Sequence, residues 1–216
     1  MPARERILAK IRRQLGKGGA APSPAEEENV RAYLRAHPRG PLRDLQGDPV
    51  ARFRARAEAG ASTTERVASL DEVPAAVARY LDSQRLPKSG CVWPKLAGLA
   101  WSAAGLALEP RGARDADAVG VTGVFCAIAE TGTLMLCSGA ETPASVSLLP
   151  ETHVAVVGAA RIVQAMEDGW DLARHELGQL PRAVNFVSGP SRTADIEQTI
   201  VLGAHGPYRV HIVIVD

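Results

Sequence analysis

Ala183-Val184-Asn185-Phe186-Val187-Ser188-Gly189-Pro190-Ser191-Arg192-Thr193-Ala194-Asp195-Ile196-Glu197 is the stretch around which the chain is organised. Its first five residues are an apolar run that reads as a buried strand. Residues 196–202 repeat at helical spacing, and Gly203 closes them. The polar run between should sit where a strand ends and a helix begins. In open α/β sheets ligands bind there, in the crevice outside the carboxyl ends of the strands. Free N–H groups at a helix start attract anions. Gly189 lets backbone approach a ligand, Arg192 offers a donor fork for carboxylate or phosphate, and Ser191 or Thr193 can cap the helix. A capped turn with an exposed arginine would explain the hydroxyls. It would not explain five polar groups between two apolar elements.

Outward from this stretch the pattern alternates. Strands are expected at 66–68, 91–93, 106–108, 124–129, 133–137, 153–157 and 208–215, with helices at 71–84 and 95–101 and over most of 162–177. Glu130-Thr131-Gly132 is short enough to join its two flanking strands as a hairpin. Strands alternating with helices indicate an α/β fold, here a mixed sheet layered with helices. The chain's beginning differs. Ile7, Leu8, Ile11 and Leu15 share a helical face, and residues 16–22 read as a Gly-rich linker. Ser23-Pro24-Ala25-Glu26 is a capping box, and Asp48-Pro49 starts a third helix with Val50, Phe53 and Ala57 on one side. The expected division is a helical arm, 1–60, and an α/β domain, 61–216. The arm has narrow apolar stripes, for packing on the main domain, a second copy or a partner, or for lying in solvent.

With 216 residues, 46% of them hydrophobic, the chain can bury a real core. A net charge of +1 gives no reason to expect nucleic acid or a membrane surface as partner. No apolar run reaches the ~20 residues of a membrane span, and the Arg-rich start lacks a signal peptide's apolar segment. Cys91, Cys126 and Cys137 have no CxxC spacing, which argues against a disulfide framework and a self-contained zinc or iron–sulfur site. A reducing cytoplasm fits that cysteine usage. GxGxxG, GxxxxGK[ST] and GxSxG are absent, and no metal site is expected.

Three polar turns remain as candidate chemistry. Gly120-Val121-Thr122-Gly123 leads toward Glu130-Thr131-Gly132-Thr133, where Glu130 at a strand end can serve as base, nucleophile or hydrogen-bond acceptor. The 188–197 stretch adds Asp195 and Glu197 beside Arg192. Gly203-Ala204-His205-Gly206-Pro207 sets a histidine between glycines, poorly explained by core packing and suited to a general base or a ligand contact. The candidate catalytic residues are Glu130 and His205. The candidate ligand-binding residues are Thr131, Gly132, Thr133, Ser188, Gly189, Ser191, Arg192, Thr193 and Asp195. His153 either faces the same crevice or flanks it. His211 reads as structural, and His37 as exposed.

These turns, in this order, resemble the LUD-domain family of lactate-utilisation proteins. The matching stretches are 120–123, 127–133, 147–156, 188–197 and 203–216, which lie in the second half of the chain. The resemblance implies a fold similar to the sugar-phosphate isomerase and CoA-transferase group. It also implies a place in a three-protein system oxidising L-lactate to pyruvate, whose partners carry the cysteine-rich and iron–sulfur motifs. It supplies no catalytic residues, no cofactor and no oligomeric state.

The leading expectation is a cytoplasmic subunit of that system. It would bind a small anionic or phosphorylated ligand in a crevice framed by Glu130, residues 188–193 and His205, without holding a cluster. One alternative is a stand-alone CoA-transferase-like or isomerase-like enzyme using Glu130. Another is a non-catalytic assembly protein whose helices hold iron–sulfur partners.

Overall fold

The computed structural model describes residues 2–17, 21–41, 46–193 and 201–216. The chain divides into two compact units, 1–42 and 43–216.

The first unit holds two helices, α1 (Ala3–Gln14) and α2 (Pro24–Ala36). The capping box at the start of α2 is as its sequence dictates. Ser23 Oγ accepts from the Glu26 N–H at 3.3 Å, and Glu26 Oε2 accepts from the Ser23 N–H at 2.9 Å. His37, in the left-handed region, ends the helix. Neither helix buries a residue, and Ile7, Ile11, Leu15, Val30, Tyr33 and Leu34 are all exposed.

The second unit begins with α3 (Pro49–Ala59) and continues through β1 (Thr63–Val67), α4 (Val73–Ser83), β2 (Ser89–Val92), β3 (Ala107–Pro110), β4 (Val119–Gly123), β5 (Cys126–Ile128), β6 (Thr133–Cys137), β7 (Thr152–Gly158), β8 (Ile162–Val163), α5 (Met166–Leu177), β9 (Val184–Val187), β10 (Arg192–Thr193), β11 (Val201–Leu202) and β12 (Arg209–Val215). The main sheet runs β1-β12-β7-β4-β2-β3 and is parallel throughout. Its centre is the seven-residue register of β12 on β7, from Arg209↔Thr152 to Val215↔Gly158. The second sheet runs β8-β5-β6-β9, with β6 antiparallel to both neighbours. The mixed character expected from the sequence is thus divided between two sheets.

The period of two along each strand sorts side chains into layers. Val121, Val154, Val156 and Val213 pack on one face of the main sheet with Val73, Val77 and Leu81 of α4. On the other face Ala155, Val157, Ile212 and Ile214 meet Ala127, Leu134 and Leu136 of the second sheet. Beyond that sheet α5 comes close enough that a Cβ on Gly169 would meet Cys126 Sγ and Met135 Sδ at 3.3 Å. The order is helix, sheet, sheet, helix.

Several local expectations are corrected. Gly120-Val121-Thr122-Gly123 is not a turn but β4, in the middle of the main sheet. Gly120 is there because a Cβ would sit 2.2 Å from the Val146 carbonyl oxygen and 2.8 Å from Pro150. Residues 95–101 form only short 3-10 turns, and Ile162–Val163 pair as a strand before α5 starts. The run 183–187 is a half-buried edge strand, with Phe186 36% exposed. Val201 and Leu202 are strand, not helix, and residues 196–200 lie outside the described residues.

The helix at 49–59, grouped above with the arm, belongs to the second unit. Phe53 is fully buried and Ala57 nearly so, both packed with residues of the two sheets. Trimming that ring should therefore register in the unit's cooperative unfolding. Phe53→Leu is expected to lower stability by roughly 1.5–3 kcal/mol, between the costs of deleting one methyl and a whole ring. Urea melts followed by far-UV circular dichroism would check it. An unchanged midpoint would mean that α3 is peripheral.

Candidate functional site

The polar turns gather around the end of α3. The 130–133 turn touches it so closely that a Cβ on Gly132 would sit 2.4 Å from the Ala57 nitrogen. A Cβ on Gly189 would sit 2.3 Å from the Gly60 carbonyl oxygen. Arg192 Nη2 donates to that same oxygen at 2.8 Å. A chain of hydroxyls joins Thr131 to Thr133 and Thr133 to Ser188, each at 2.7 Å. Glu130, half-buried, donates its N–H to the Gln164 carbonyl at 3.0 Å. The structure brings Thr131, Gly132, Thr133, Ser188, Gly189 and Arg192 together at this end of the helix. Gly132, Gly189 and Arg192 lock the second sheet's loops onto α3.

The cluster also lies at an unexpected end of the main sheet. Gly60 precedes β1, and β7 and β12 begin at Thr152 and Arg209, so this is the sheet's amino edge. It is at the same time the carboxyl end of β5 and β9 in the second sheet. Arg192 and Thr193 are themselves strand: they pair with Leu202 and Val201 as a two-residue antiparallel ladder. Asp195 lies outside the described residues.

His205 lines a cleft of about 520 Å³ at this amino edge, together with Glu151, Tyr208, Arg209 and the 202–206 loop. Two hydrogen bonds set that loop against the 188–193 turn. The Ser191 N–H donates to the Pro207 carbonyl, and the Gly203 N–H to the Ser191 carbonyl, both at 2.9 Å. Arg209 opens β12 and donates its N–H to the Glu151 carbonyl at 3.0 Å. Its guanidinium lies 4.8 Å from the Tyr208 ring centroid and makes no ion pair with a described residue. A guanidinium lining the same cleft as a histidine suits a carboxylate or phosphate. His205, expected from the sequence, shares this cleft with Arg209, Glu151 and Tyr208, which the sequence does not single out: an arginine heading a strand and a glutamate ending a loop look like ordinary surface charge.

Two histidines are excluded from that chemistry by burial. His153 is fully buried, its Nε2 2.7 Å from Thr122 Oγ1, and its Nδ1 has no partner. His211 stacks on Tyr80 at 3.9 Å, and its Nδ1 meets Thr63 Oγ1 at 2.8 Å. Desolvation pushes both imidazoles down to about 4. Burial also pushes the Cys91 thiol up to about 12 and the Cys126 thiol to about 11, so neither is a ready nucleophile. No group of three or more His, Cys, Asp or Glu among the described residues could hold a metal ion. No helix among them is long and apolar enough to cross a membrane.

A six-stranded parallel sheet backed by a second sheet, with a cleft lined by Glu151, His205 and Arg209 at one edge, defines the class: a layered α/β domain. Residues 111–215 match the LUD domain family model. That span contains the Glu130, 188–193 and His205 loops and the cleft residues. Over 101 residues the chain is 38% identical to Lactate utilization protein C of Bacillus subtilis (strain 168), covering 45% of this chain and 42% of that one. Over 107 residues it is 42% identical to Lactate utilization protein C 1 of Bacillus mycoides, covering 48% and 45%. The chain thus spans less than half the length of these curated relatives. A crystal structure of a DUF162 family protein from Deinococcus radiodurans covers 82% of this chain and 100% of its own, at 26% identity and a TM-score of 0.60.

Proposed function

We propose that this chain serves lactate utilisation as a cytoplasmic component that binds a small anion and carries no redox centre. The observation behind this reading is the Arg209 guanidinium, without an ion-pair partner among the described residues and placed with His205 in an open cleft. A hydroxy- or oxo-carboxylate, or a phosphate group, would take the guanidinium's parallel N–H pair, and His205 would meet the substituent beside it. Arg192, the anchor expected from the sequence, takes a positioning role: it holds the 188–193 turn that carries the His205 loop. The similarity to lactate utilization protein C supplies the metabolic setting, and iron–sulfur partners of the same system would carry the electrons.

Thermal denaturation of the purified chain with L-lactate, pyruvate and inorganic phosphate tests this. A ligand at 100 times its dissociation constant should stabilise by about 2.7 kcal/mol. For a domain this size each kcal/mol is worth about 2–4 °C. Arg209→Ala should remove the shift, and Arg192→Ala should weaken it less. No shift with any of the three, or a shift that survives Arg209→Ala, overturns the reading.

The exposed apolar residues of α1 and α2 favour a second role for the same chain, as an assembly module. Deleting residues 1–42 should then abolish co-purification with the iron–sulfur partners and leave anion binding intact. Retained co-purification would remove this role.

A further inference from the structure

The carboxyl edge of the main sheet holds a second cavity, of about 410 Å³, at the opposite end of the strands from the His205 cleft. Its walls are the strand ends themselves. Val156 and Gly158 come from the end of β7, Gly123 from the end of β4, and Trp93 from just after β2. In parallel sheets this edge is where ligands bind, because the connections leaving neighbouring strands part there and open a crevice. The volume lies at the low end of the ≈ 300–1,000 Å³ typical of small-molecule sites.

The lining is aromatic, glycine-floored and free of acid. Trp93 lies over the Gly123 backbone, its ring atoms 3.6 Å from where a Cβ would stand. Its indole N–H donates to the Pro143 carbonyl at 3.0 Å, which fixes the ring. Phe125 is backed by the Arg161 guanidinium at 4.8 Å. No Asp or Glu lines the cavity, whereas Lys95 does, and Lys95 forms no ion pair with a described residue. Glu176, whose carboxylate feels the Lys95 charge, is itself held by Arg161 at 2.6 and 3.0 Å. Ser138 Oγ accepts from the Ala183 N–H at 2.9 Å, so its own proton remains available to donate. Donors without a matching acid, set beside aromatic walls, select an anionic group on a flat apolar body.

We propose that this cavity binds an organic acid with an aromatic or acyl body, packed along Phe125 over the floor that buried Trp93 and Gly123 form, with its anionic group on Lys95 and Ser138. Such a ligand is larger and less polar than lactate, so the two clefts take different compounds. Fluorescence titration of the full chain with 8-anilinonaphthalene-1-sulfonate, an aromatic anion of that shape, tests it. One saturable site is expected, displaced by 2-naphthoate and not by lactate. Lys95→Ala should weaken it about tenfold or more, as loss of a charge-assisted hydrogen bond requires. Lys95→Arg should retain it, and Arg209→Ala should leave it unchanged. Absence of a saturable site, wild-type affinity in Lys95→Ala, displacement by lactate, or weakening by Arg209→Ala would each overturn the proposal. The last two would assign the dye to the His205 cleft instead.

Discussion

Lowering the pH from 7 to 4 is expected to remove several kcal/mol of stability, mostly through two buried histidines. His153 and His211 have imidazoles held down to about 4, against an ordinary value near 6.5. Between those values the unfolded chain binds protons that the folded chain excludes, so unfolding is favoured as pH falls. The stability is fully present above about pH 6.5 and is lost progressively down to about pH 4, where the folded imidazoles also charge. At 1.36 kcal/mol per pK unit, each histidine accounts for up to roughly 3 kcal/mol. The cause is geometric. His153 is sealed between the two sheets with only Thr122 as partner, and His211 lies between Tyr80 and Thr63, with Glu65 alone favouring its charged form. Urea midpoints at half-unit pH steps would show the slope. His211→Phe keeps a ring against Tyr80 and should remove about half of it; His153→Gln should remove most of the rest. A slope unchanged in the double variant would assign the acid sensitivity to other groups.

Gly132→Ala should be the most damaging single-methyl change in the 130–133 turn. Gly132 has φ +69°, a left-handed conformation that costs an L side chain roughly 1–2 kcal/mol. The added Cβ would also stand 2.4 Å from Ala57 N, 2.6 Å from Arg56 C and 2.9 Å from Ala57 Cα. These are backbone atoms of a helix anchored by Phe53, so they have no rotamer to yield, and relieving the overlap costs about 1–3 kcal/mol more. A total loss of about 3 kcal/mol or more is expected in urea unfolding. Gly98 is the control, because its φ is not positive and a Cβ added there would meet no atom within 4 Å. Gly98→Ala should stay within about 0.5 kcal/mol. Because the Gly132 change pushes α3 outward, combining it with Phe53→Leu should be non-additive. A tolerated, fully additive Gly132→Ala would mean that the turn and α3 separate easily.

Patterns carried by neighbouring residues were legible in the sequence. The capping box at Ser23–Glu26, the Asp48 cap, the β5–β6 hairpin and the apolar runs of β7 and β12 are local, and each formed as its residue types require. The stretch Gly120–Gly123 was misread because its glycines look like turn punctuation. Gly120 is small because Val146 and Pro150, distant in sequence, press on that strand. The candidate site was legible as a set of loops, and the contacts of its arginines were not. Arg192 is the more conspicuous arginine in the sequence, yet the fold occupies it with the Gly60 carbonyl and leaves the Arg209 guanidinium in the cleft.

By itself the sequence determined the α/β class, the LUD-domain resemblance and the polar loops that meet at one end of the second unit. Only the tertiary structure decided which end that is. The crossing of strands from β1 to β12 and from β4 to β7 puts those loops at the amino edge and opens the carboxyl edge as a second cavity between Trp93, Lys95 and Gly158. Strand order and direction are set by which apolar faces cover one another across the whole domain, and that is a property of long-range packing that no local run of residues encodes.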